Sequence, residues 1–88
     1  MNDKKIKQQL QPTDHQWERL AKMMTWLQKE IATWHGGGPS ALKDTMKLGA
    51  SMQIGEPSRY EVQSVIDNIN NTIVRYCDHY GIIRPNHK

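Results

Sequence analysis

The chain has 88 residues, 36% of them hydrophobic, with a net charge of +3 and one cysteine. That length allows one small domain, the low apolar content and mean hydropathy of -0.80 exclude a membrane-spanning segment, and a lone Cys77 excludes an intrachain disulfide framework. A reducing compartment follows, the cytoplasm being the default. The mildly basic balance is compatible with nucleic acid, with an acidic partner or with plain solubility.

The first segment, residues 1–12, reads as a flexible N-terminal tail: "MNDKKIKQQLQ" has lysines but no apolar run, so it does not read as a secretory leader. A single helical domain is expected over 13–81 and a C-terminal tail over 82–88. Three proline–hydroxyl pairs punctuate it: Pro12-Thr13, Pro39-Ser40 and Pro57-Ser58. Each hydroxyl suits an N-cap, and Thr13 with Gln16 and Ser58 with Glu61 have capping-box spacing. Gly36, Gly55 and Gly81 supply the stops. The expected helices cover 14–35, 41–53 and 59–80, and no run alternates as a strand does.

In the first helix Trp17, Leu20, Met24, Leu27, Ile31 and Trp34 step by three and four, one narrow stripe. Trp26 falls about 130° from the centre of that stripe. With Met23 beside it and Arg19, Lys22 and Lys29 around it, Trp26 marks the expected partner-binding face, since tryptophan is enriched in binding hot spots. The loop that follows holds Gly36, Gly37 and Gly38. It lacks the lysine and the preceding strand of a phosphate loop, so it reads as a corner between helices, and only an anion at the Ser40 helix start would make it more.

The middle helix is rich in small residues, Gly49, Ala50 and Ser51 together, and is expected to cap the ends of the long helices. The segment "SMQIGEPSRYEVQSVI" resembles the helix-turn-helix of DNA-binding repressors at Ser51, Ile54, Gly55, Ser58, Val62, Val65 and Ile66. It departs from that pattern in a turn one residue too long and a following helix of twice the usual length. The resemblance implies that Arg59, Tyr60, Gln63 and Ser64 would face the major groove.

The third helix carries Val62, Ile66, Ile69, Ile73, Tyr76 and Tyr80 in a matching stripe, with Ser64, Asn68, Asn71, Arg75 and Asp78 on its outer face. Two stripes of equal length predict an all-α fold: two long amphipathic helices joined by a short middle helix, antiparallel, and completed by dimerisation into a bundle. Cys77 and His79 diverge by about 160° on a helix, and no other cysteine or histidine pair has ligand spacing, so no metal, cofactor or small-molecule substrate is expected. No nucleophile–base pair converges either. The sequence therefore predicts a small non-catalytic interaction module, a regulator or inhibitor that binds a larger protein and forms a homodimer. A DNA-binding transcriptional regulator using 51–66 is the alternative.

Overall fold

The computed structural model describes residues 10–85. Among the described residues three helices build the domain: α1 (Asp14–Ala32), α2 (Ser40–Ile54) and α3 (Arg59–Tyr80). Among the described residues there is no strand, and no helix is long and apolar enough to cross a membrane.

The starts follow the cap chemistry at two of three places. Thr13 caps α1 in a full capping box, its hydroxyl accepting from the Gln16 amide while the Gln16 side chain accepts from the Thr13 amide. Ser58 caps α3 by accepting from the Glu61 amide. At α2 the cap position is Pro39, which has no side-chain acceptor, and Ser40 is already the first helical residue. The stops divide similarly. Gly81 is left-handed, with φ 69°, whereas Gly55 is extended and ends α2 without a left-handed turn. The first corner is sharper than one glycine would make it: Gly36, Gly37 and Gly38 have φ of 83°, 94° and 75°. Three left-handed residues in a row are a conformation that side chains resist, which is why the sequence spends three glycines there.

The long helices run parallel, not antiparallel as the stripes suggested. Gln16 near the start of α1 bonds Arg59 and Gln63 at the start of α3, and Glu30 near the end of α1 bonds Tyr76 near the end of α3. The connection explains the direction. At about 1.5 Å per residue the 15 residues of α2 span roughly 22 Å. That is long enough to carry the chain back along the body rather than across one end. So α2 lies against both partners instead of capping them: Leu42 is fully buried, and Gly49 sits where a Cβ would strike the side chains of Met24 and Ile69. The close approach is of side chains into a glycine notch.

Because α2 supplies the third wall, the two stripes are covered within one chain, and no second copy is needed to cover them. The core shows how. α1 contributes Leu20, Met23 and Leu27, α2 contributes Leu42, and α3 contributes seven of the eleven buried apolar residues. On α3, Val65 and Cys77 flank the expected stripe and widen it to an arc of about 120°, enough to face two helices rather than one. The described residues just past α3 are tied as well. The Ile82 amide donates to the Cys77 carbonyl at 2.8 Å, and Arg84 forms a two-toothed pair with Asp78.

Candidate functional site

The face expected to bind a partner on α1 is divided between interior and surface. Met23 is fully buried. Trp26 is half-buried and meets Tyr76 edge to face, ring centroids 6.0 Å apart and planes at 79°. Arg19 is half-buried, its Nε without a hydrogen-bond partner among the described residues, while Lys22 and Lys29 are exposed. The physical reason is that α1 packs on two helices at once. Met24 faces α2, and Gln16, Trp26 and Glu30 face α3, so its buried arc is wider than the stripe and shifted toward Trp26. Met23 is therefore a core residue, and Trp26 packs against the core with part of its surface still exposed.

Trp26 belongs to a closed end. There Trp34 Nε1 donates to the Tyr76 hydroxyl at 2.9 Å, and that hydroxyl donates to Glu30 Oε1 at 2.5 Å. Tyr80 packs on Trp34 and Tyr76, with centroids 5.3 and 4.9 Å away. Burial, then the bond to Glu30, pushes the Tyr76 phenol up to about 12. Burial likewise pushes the neighbouring Cys77 thiol up, as befits a small apolar core residue.

The helix-turn-helix candidates are also split. Arg59 Nε donates to the Gln11 carbonyl at 3.0 Å, and Gln63 accepts from Gln16 and donates to Asp67. Tyr60 is 73% exposed and Ser64 is exposed. Moreover α2 lies along α3, with Thr45 and Leu48 bordering one groove with Asn68 and Thr72, while Gly49 faces Ile69. The two elements of a helix-turn-helix instead cross steeply at their junction. Here the matched residues build a lengthwise helical hairpin.

The opposite end is open. Parallel packing brings two of the proline–hydroxyl starts side by side, and between them lies a cleft of about 540 Å³. Leu10, Gln11, Pro12 and Trp17 form one wall, and residues 55–58 with Glu61 form the other. Its geometry is set by the caps themselves. Gln16 closes the α1 capping box with its carbonyl and uses its amide nitrogen to reach the Arg59 carbonyl at 3.2 Å and Gln63 at 3.1 Å. Arg59 returns the connection by holding Gln11. The prolines on both walls fix the backbone entering each helix.

Among the described residues that line the cleft, the charged ones are Glu56 and Glu61, both exposed. Among the described residues neither takes part in an ion pair. Of the five large hydrophobic side chains exposed on the described surface, Leu10 lies in the wall, and Ile54, at 89% exposure, and Tyr60 are the chain neighbours of the lining residues Gly55 and Glu61. The sequence reading missed this site because it joins residues 45 positions apart. The recurrence of Pro-Thr and Pro-Ser was its one visible signal.

Elsewhere, no group of three or more potential metal ligands is present among the described residues. His15, His35 and His79 are exposed and dispersed, and His87 lies outside the described residues. The three-glycine corner holds its own lysine, the Lys43 ammonium donating to the Gly36 carbonyl at 3.4 Å. No protein-family model, curated protein or solved structure matches this chain.

Proposed function

We propose that this protein is a non-catalytic interaction module that docks a segment of a larger protein in the cleft between the starts of α1 and α3, and so regulates that partner. The observation that carries this reading is the concentration of exposed apolar side chains at that end. Leu10 lines a preformed groove together with the half-buried Trp17, and Ile54 and Tyr60 are the chain neighbours of its lining residues Gly55 and Glu61, whereas the rest of the described surface exposes only Tyr80 and Ile83 among its large hydrophobics. Exposed apolar area gathered around a groove marks interaction sites, and a tryptophan within it is a usual anchor.

The reading is tested by selecting a random peptide library on the folded chain. Peptides that bind saturably, and lose binding with Trp17→Ala and with the surface change Glu56→Lys, support it. Glu56→Lys guards against misfolding of the first variant. If no selected peptide binds better than to an unrelated helical bundle, docking at the cleft is wrong. Duplex DNA retained with a steep salt dependence, and released on replacing Tyr60 and Ser64, would favour the DNA-binding alternative instead.

A further inference from the structure

The cleft is at odds with the rest of the chain in charge. The protein carries a net +3, yet among the described residues that line the groove the charged ones are two carboxylates, and the neighbouring Arg59 spends its guanidinium Nε on the Gln11 carbonyl. An anionic ligand would meet the two full negative charges of Glu56 and Glu61 against only the partial positive charges of the two helix starts. A purely apolar ligand would cover both carboxylates without compensating them, which is costly. A ligand with a positive end on an apolar stem satisfies everything lining the groove. The indole of Trp17 offers a π face, the two glutamates offer acceptors, and Leu10, Pro12 and Pro57 offer apolar contact for methylene groups.

We propose that the cleft recognises an arginine side chain, presented by an extended segment of a partner protein, with its guanidinium against Trp17 and paired to Glu56 and Glu61. Arginine fits better than lysine for three reasons. Its planar fork pairs bidentately with carboxylates, its delocalised face stacks on indole, and it sheds water more readily than an ammonium. The starts of both long helices lie at this end, and their positive dipole ends favour the negative side chains that would receive the cation. The groove is also rigid where it must be. Both caps and the Gln16 and Arg59 links hold its walls without using either glutamate side chain. No folding rearrangement is required before the carboxylates can bind.

This inference rests on the docking function proposed above and adds the chemistry of the bound residue. Its test is a nitrogen-15 NMR titration of the full chain with a short blocked peptide bearing one arginine among glycines and serines. Matched peptides carry lysine or citrulline in its place. The arginine peptide is expected to shift the Trp17 indole N–H and the amides of Gly55, Glu56, Ser58 and Glu61 saturably. Lysine should bind more weakly, and citrulline, which keeps the shape but not the charge, should not bind. The double change Glu56→Gln with Glu61→Gln should weaken arginine binding by about tenfold or more, a loss of roughly 1.4 kcal/mol, with the fold kept and the melting temperature lowered only by the loss of the Glu61 charge at the start of α3. Equal shifts with citrulline, shifts that never saturate, or shifts centred elsewhere would overturn it. So would concentration-dependent shifts at Trp17 before any peptide is added, which would make a second copy of the chain the occupant. Library peptides that bind this cleft without any cationic residue would sink the arginine assignment alone and leave docking intact.

Discussion

The two ends of the bundle are built from the same materials and do opposite things. At one end Trp26, Trp34, Tyr76 and Tyr80 spend their aromatic surface on each other, and a carboxylate, Glu30, accepts from a tyrosine hydroxyl. At the other end Trp17 faces a groove, and Glu56 and Glu61 have no ionic partner among the described residues. The lesson is that a tryptophan and a glutamate near each other mean closure when a third group satisfies both, and reception when none does. Composition alone does not distinguish the two.

The comparison can be broken first at the closed end. Tyr76→Ala removes a buried aromatic and leaves Trp34 Nε1 and Glu30 without their shared partner, and should cost about 3–5 kcal/mol in chemical denaturation. A similar loss at Trp17 would mean that the open end is equally committed to the fold. Gly49→Val strikes the waist, driving a branched side chain into Met24 and Ile69. It should cost about 1–3 kcal/mol and speed amide exchange at both ends alike. Gln16→Ala removes one half of a capping box and two bonds to α3. About 1–2 kcal/mol of stability should be lost, with exchange accelerating mainly at the open end.

Smaller effects sharpen the contrast. The Tyr76 phenol is raised from its ordinary value near 10 to about 12, so folding favours its protonated form. Its contribution to stability is complete below pH 10 and is lost as pH rises toward about 12. Denaturation curves across that window should fall for the native chain and fall less for Tyr76→Phe. The slightest effect on stability is expected from Glu56→Lys, within about 0.5 kcal/mol, because this exposed side chain holds nothing in the fold. It should nevertheless abolish binding of the arginine peptide. A large change in melting temperature would instead assign Glu56 to the architecture.

Much of the local structure was legible from residues alone. The steps of three and four located α1 and α3, Thr13 and Ser58 their starts, and Gly81 the last stop. The glycine triplet read correctly as a corner. Errors began where two elements had to be combined. A stripe drawn for one partner placed Trp26 outside, since pairing with both α2 and α3 widens the buried arc by positions that no single seam predicts. The direction of packing was equally out of reach, because parallel and antiparallel arrangements bury the same stripes.

By itself the chain therefore determined which segments are helical and where the two long ones begin, because propensity, capping and glycine conformation act within a few residues of one another. Only the tertiary arrangement decided that Pro12 and Pro57, 45 positions apart, share a groove with Trp17 and two carboxylates. That pairing depends on whether α2 crosses an end or returns along the body, and its length in space, about 22 Å, settles it.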